Sequence, residues 1–206
     1  MSSIHPLLAL PTVAGLLLAG GLGTPAQAAT GDVTEAQLRQ VFGARVDTTP
    51  RVARNLPALN REMREAGITT PQRKAAFLAT LVNESRMDPS ASERGARARY
   101  KGRGYMQLTG AWNYGAAGRA IGVNLRRNPA AAADPQHSAA IATWYWTTAR
   151  PTNNKAADRF DMGRISHNVG YAASAREDAE RCADFKRAYQ AFSGRKAPAS
   201  TICYRH

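Results

Sequence analysis

Along much of the chain the apolar positions recur every three to four residues, the period of a helix packed on one side. Thr34-Glu35-Ala36-Gln37 has the spacing of a capping box, and Leu38, Val41 and Phe42 follow on one face. Leu56, Leu59 and Met63 repeat the period, with Gly67 as a natural stop. Thr70-Pro71 sets an N-cap before a proline at the first helical position and opens a helix through Phe77, Leu81 and Val82 to Glu84. From Asp88 to Thr109 the period is lost around Gly95, Gly102 and Gly104, which predicts loop or short strand. Asp134-Pro135 starts another helix, with Ile141, Trp144 and Tyr145 inward, ending before Pro151. Ser174-Ala175-Arg176-Glu177 reads as a second capping box and leads a helix through Phe185 and Tyr189 to Gly194. The pattern predicts one mainly α domain with a long irregular middle segment.

The first 28 residues depart from this pattern. They contain no Lys, Arg, Asp or Glu, and an apolar run broken by Pro11 ends in Ala26-Gln27-Ala28, the form of a cleavage site. Residues 1–28 therefore read as a signal peptide and 29–206 as a secreted mature chain. The alternative is a membrane anchor, although the stretch is glycine-rich, Pro-interrupted and barely long enough to span. No second long apolar run follows, so no stable membrane association is expected after cleavage, and a monomer is expected. Export also exposes Cys182 and Cys203 to oxidant. A bridge between them would pin the tail 195–206 to the preceding helix and, closing a loop of about twenty residues, contribute about 3 kcal/mol; two reduced thiols are the alternative.

Charge narrows the partners. Lys and Arg number 28 against 15 Asp and Glu, a formal +13, while 44% of residues are hydrophobic. That apolar content excludes a disordered basic tail, and two cysteines exclude a disulfide-dense mini-scaffold or a zinc-ribbon array. The excess predicts a polyanionic partner: nucleic acid, an anionic membrane or an anionic wall. Export and the lack of an aromatic-basic motif remove nucleic acid.

Candidate chemistry begins with Glu84. Phe77, Leu81 and Glu84 share a helix face, so the carboxyl ends an apolar stripe, and desolvation there raises a pKa and suits a general acid. On the pattern alone the commoner reading is an exposed, idle glutamate at a helix end. Glu93, nine residues on, lies among Arg86, Arg94, Arg97 and Arg99, which would keep it ionised as a general base requires. One carboxyl placed to keep a proton and one to lose it is the arrangement of a glycosidase, though loop glutamates beside arginines are common. In Tyr100 to Thr109, Gly102 and Gly104 permit close backbone approach to a ligand, and Gln107 and Thr109 project to one side if the segment is extended. Asn113 and Tyr114 follow, so amides, hydroxyls and aromatics suited to sugars are grouped. His137 and His167 lack metal-ligand spacing.

The run Gly102-Arg103-Gly104-Tyr105-Met106-Gln107-Leu108-Thr109, followed by Asn113-Tyr114 and Ala117-Gly118-Arg119-Ala120-Ile121-Gly122-Val123-Asn124-Leu125, resembles the core of family 19 glycoside hydrolases. The likeness covers about 75–190 and continues in Asn128-Pro129, Asp134, Trp144-Tyr145-Trp146 and Ile165 to Gly170. It implies a lysozyme-like α+β single domain, helices around a cleft with a small irregular or β segment near 95–110, its core at 70–194. It implies Glu84 as general acid, Glu93 as general base and Thr109 as holder of the attacking water. Tyr100, Gln107, Asn113 and Asn168 are implied as substrate contacts, and Arg176 as support for the carboxylates. Neither a metal nor a cofactor is implied. Three positions depart from the family pattern: Asn83 stands where a His is usual, Val169 interrupts the I-x-N-G-G site, and no acidic residue closely follows Gly170.

The function so implied is a secreted inverting endo-β-1,4-glycosidase with a polysaccharide substrate, chitin or peptidoglycan. Glu84-Ser85 to Pro89-Ser90-Ala91 with Gly104 to Leu108 is also similar to lytic transglycosylases, which use a single glutamate. A non-catalytic cationic wall-binding or antimicrobial protein is the alternative of another class.

Overall fold

The computed structural model describes residues 31–170 and 174–206; the signal segment expected at 1–28 lies outside the described residues. The chain forms α1 (Glu35–Phe42), α2 (Pro50–Glu65), α3 (Pro71–Ser85), α4 (Ala111–Ile121), α5 (Pro135–Trp144), α6 (Asn153–Asp158), α7 (Met162–Val169) and α8 (Ala175–Ser193). Each expected N-cap side chain is engaged, but not in the same way. Thr34 and Gln37 form the full reciprocal box, whereas Ser174 accepts from Glu177 N and the Glu177 carboxylate turns instead to Arg181.

Helix α3 is the axis of the core. Every residue from Ala75 to Val82 is buried, more than one face of an amphipathic helix, because neighbours enclose it on several sides. It packs most extensively against α8, whose Cys182, Phe185, Ala188, Tyr189 and Phe192 are also buried. The Phe77 ring meets Trp146 edge-on at 5.2 Å, an arrangement contributing about 1 kcal/mol beyond its area.

Three elements differ from the sequence expectation. Helices α4, α6 and α7 form in segments for which the sequence pattern named no helix; α4 carries two glycines and little apolar period, so tertiary contacts override its propensity. After α5 the chain continues as a π turn, Tyr145–Ala149. The wider turn shifts the register, so Tyr145 and Trp146 are both buried while Trp144 is only partly so. Near 95–110 there is no strand among the described residues. A single antiparallel bridge, Ser92 to Arg103, closes the loop instead.

The C-terminal segment is clamped. Cys182 and Cys203 form a disulfide. Ile202 O accepts from Met162 N (2.9 Å) and Gly163 N (3.1 Å), covering orphan donors at the start of α7. Gly163 permits this approach, since a Cβ there would overlap the Tyr204 carbonyl.

Candidate active site

The end of α3 fixes Glu84. Arg86 N donates to Val82 O and Met87 N to Leu81 O, closing the helix end with both residues at positive φ. Asp47 N also donates to Arg86 O at 2.8 Å, so the turn after Glu84 is tied down from outside. The Glu84 side chain is 21% exposed, and Arg181 Nη2 donates to its Oε1 at 3.0 Å. Burial holds its carboxyl above the ordinary glutamate range, against the opposing pull of Arg181; the charge of Glu177 pushes up and Arg205 weakly down.

Arg181 is 1% exposed and bridges Glu84 and Glu177 through Nη2, each at 3.0 Å. Its Nε and Nη1 are buried without a hydrogen-bond partner among the described residues. This is the arginine that sequence reasoning missed: Arg176 is 89% exposed and pairs with Glu180 on the surface. The signal was the helical repeat, which sets Arg181 rather than Arg176 on the face toward α3. Glu177, seven residues after Gly170, shares Arg181 with Glu84. Arg205, from the clamped tail, is held by Asp178, and its Nη1 donates to Gly170 O at 3.1 Å.

Two hollows meet at Glu84 and Gln107. The larger, about 630 Å³, runs between Asp47, Asp88 and the loop wall Ser90–Ser92 and Arg94. The smaller, about 240 Å³, is walled by Met106, Leu108, Thr109, Asn113, Tyr145, Val169 and Gly170. Together they form an open groove with a desolvated carboxyl at its middle. Among the described residues no three His, Cys, Asp or Glu side chains are grouped to hold a metal.

Glu93 is exposed, and its neighbours Ser92 and Arg94 form the groove wall. Its Oε2 accepts from Gly102 N at 3.0 Å, and its own N–H donates to Gly102 O at 2.9 Å. Gly102 in turn abuts Gln107 and Thr109: a Cβ there would lie 2.8 Å from Gln107 Oε1 and 3.4 Å from Thr109 Oγ1. The Glu93 carboxylate is thus one residue away from both. Gln107 and Thr109 share a side as expected, though through a turn and not a strand. Gln107 sits at φ +47, a conformation that costs a non-glycine residue about 1 kcal/mol. Gly104 serves a purpose other than ligand approach, for a Cβ there would strike Ala132 O and Ser138 Oγ of the protein itself.

The remaining expected contacts divide. Asn113 lines the groove beside Thr109, its Nδ2 donating to Thr109 O at 2.8 Å. Tyr100 is half-buried, lies tilted against the Tyr114 ring at 5.3 Å and donates to Arg126 O, behind the loop. Asn168 is turned elsewhere, donating to Thr152 Oγ1 and Asn153 Oδ1 and lining a separate hollow; Val169 and Gly170 take the groove side. Asn83 is likewise off the groove, bonded to Arg45 and Asp184. Trp112 went unremarked in the sequence reading, yet it is 77% exposed beside Asn113.

The profile of the glycoside hydrolase 19 family, described as chitinase class I, matches residues 71–180, more than half of the chain. The chain belongs to family 19 of the glycoside hydrolases. Members it resembles include basic endochitinase B of Arabidopsis thaliana, 52% identical over 54 residues, which are 26% of this chain and 16% of that protein. An endochitinase of Avena sativa is 42% identical over 80 residues, 36% of this chain and 40% of that protein. The matches thus span less than half of these curated relatives. Among solved structures, chitinase C from Streptomyces griseus HUT6037 aligns with a TM-score of 0.63 at 22% identity, over 83% of this chain and 80% of that one. That likeness establishes a shared family 19 fold.

Proposed function

We propose that this chain hydrolyses β-1,4 links in N-acetylglucosamine polymers, with chitin as the substrate, and inverts the anomeric centre. The observation that carries the reading is Glu84: a carboxyl kept toward its protonated form by burial, opening on a groove of amides and hydroxyls. Such a group protonates the leaving glycosidic oxygen. Glu93, in the loop closed by the Ser92–Arg103 bridge, activates water from the opposite side, with Thr109 and Gln107 positioning it. Asn113 contacts the substrate, and Trp112 offers an exposed ring for a sugar face. Arg181 acts through Glu84 and is a positioning residue. The names of the plant relatives, endochitinases, support the substrate class. Secretion follows from the sequence of residues 1–28, and the Cys182–Cys203 bridge accords with an oxidising destination.

The test is kcat/KM on chitin oligosaccharides with NMR of the product anomer. Glu84→Gln and Glu93→Gln each lower activity by about a hundredfold or more, with release of the inverted anomer. Retained activity in Glu93→Gln with anhydro products would replace hydrolysis by a one-glutamate transglycosylase. Undiminished killing or wall binding by Glu84→Gln, with no sugar release by the parent, would make the protein a non-catalytic cationic binder.

A further inference from the structure

Helix α7 ends at the groove, and it ends unlike α4. Helix α4 closes on a left-handed glycine, Gly122 at φ +71, which brings Val123 N back onto Gly118 O at 2.9 Å. Gly170 after α7 is extended instead, at φ −114 and ψ +144. That conformation carries Val169 and Gly170 along the wall of the smaller hollow, and it leaves the carbonyls at this helix end without the reversed turn that would cover them. Two arginines take them. Arg150 Nε donates to Asn168 O, and Arg205 Nη1 donates to Gly170 O at 3.1 Å, so the accepting carbonyls flank Val169. Both guanidiniums also bring positive charge to the negative end of the helix.

Each arginine is itself fixed. Arg150 follows the π turn, and its Cζ lies 4.7 Å from the centre of the Tyr145 ring, another wall of the same hollow. Arg205 is 10% exposed, its Nε lies 2.9 Å from Asp178 Oδ1, and the disulfide at Cys203 tethers its tail two residues earlier. We propose that Arg150 and Arg205 are positioning residues for the hydrolytic reaction, holding the Val169–Gly170 wall at the spacing from Tyr145 that a bound N-acetylglucosamine unit requires. This rests on the reading that the groove takes such a polymer. Loosening the wall costs affinity for the sugar before it costs proton transfer, because Glu84 is held separately by Arg181.

The experiment compares Arg150→Gln and Arg205→Gln with the parent and with Asp184→Ala, a control weakened at a buried carboxyl bonded to Arg45 and Asn83. Kinetics on chitin oligosaccharides, at a pH below the basic limb, are read beside NMR exchange of the Gly170 amide, which donates to Ser166 O at 3.1 Å. In each arginine variant KM rises about tenfold, kcat stays within about threefold, and the Gly170 amide exchanges about tenfold faster. Asp184→Ala keeps the parent's KM. Arg205→Lys, which retains a donor for Gly170 O, recovers most of the affinity, and Cys203→Ser, which frees the tail with Arg205 intact, raises KM as Arg205→Gln does. An unchanged KM in the arginine variants, an equal rise in Asp184→Ala, a loss confined to kcat, or Gly170 exchange at the parent's rate would overturn the proposal. A parent that neither binds nor cleaves chitin oligosaccharides removes the reading of the groove, and the exchange of Gly170 then decides by itself whether the two arginines hold the wall.

Discussion

Two carboxyls lie in the seam between α3 and α8, and both are pushed above their ordinary range by burial, yet they are built for different ends. Asp184 is fully enclosed. Its Oδ2 lies 2.7 Å from Arg45 and accepts from Asn83 at 3.0 Å, while Oδ1 pairs with Arg187. Both oxygens are used, and no groove reaches them. Among the described residues Glu84 is held through Oε1 by Arg181 alone, and it opens on the groove. Burial by itself does not distinguish a working carboxyl from a structural one; the unused oxygen facing space does.

Mutations should separate the two sites. Glu84→Gln costs about 3 kcal/mol of transition-state stabilisation, the hundredfold loss above, with little change in melting, because the amide still accepts from Arg181 and Glu177 remains. Asp184→Ala does the reverse: stability falls by about 3 kcal/mol on calorimetry, since Asn83 and Arg45 lose their shared acceptor, while the folded fraction keeps its activity. Arg205→Gln is intermediate. It breaks the buried pair with Asp178, costing about 2 kcal/mol by denaturant titration, and frees the Gly170 backbone at the groove wall. Because Arg205 lowers the Glu84 pKa, its loss also moves the basic limb of the pH–activity profile to higher pH. Arg176→Gln, removing only an exposed i,i+4 pair, changes both stability and activity negligibly, within about 0.5 kcal/mol.

The sign of the pH effect follows from the raised carboxyls. A carboxyl whose folded pKa lies above its unfolded value contributes stability at low pH that is lost as pH rises through the folded value. Glu84 and Asp184 both act in this direction, and Asp178, lowered by Arg205, acts in the opposite one.

How far the sequence reached depends on how local each feature is. The helices with caps and a clear apolar period, α1, α3, α5 and α8, were legible because cap and period agree, and α2 was legible from its period and the Gly67 stop alone. Glu84 at the end of α3 was legible for the same reason. Helix α4 was not, since its glycines serve contacts that only the fold creates: Gly118 meets Val123 O, and Gly115 meets Arg126. Arg181 was missed because its partner lies 97 residues away, and the choice between it and Arg176 depends on how α8 is rotated against α3. Asn168 was placed by motif, but the end of α7 turns its amide to Thr152 and Asn153. Gln107 reached the expected side through a positive-φ turn that no periodicity announces.

The central claim is that Glu84 is the proton donor and that its surroundings keep it protonated. The measurement that bears on it most directly is the NMR titration of the Glu84 side-chain carboxyl, in the parent and in Arg205→Gln, set beside the basic limb of kcat/KM on chitin oligosaccharides. The account predicts that Glu84 titrates above ordinary glutamates, that the limb coincides with it, and that both move to higher pH together in Arg205→Gln. A Glu84 that titrates in the ordinary range, or a limb that stays in place when Glu84 moves, would contradict it.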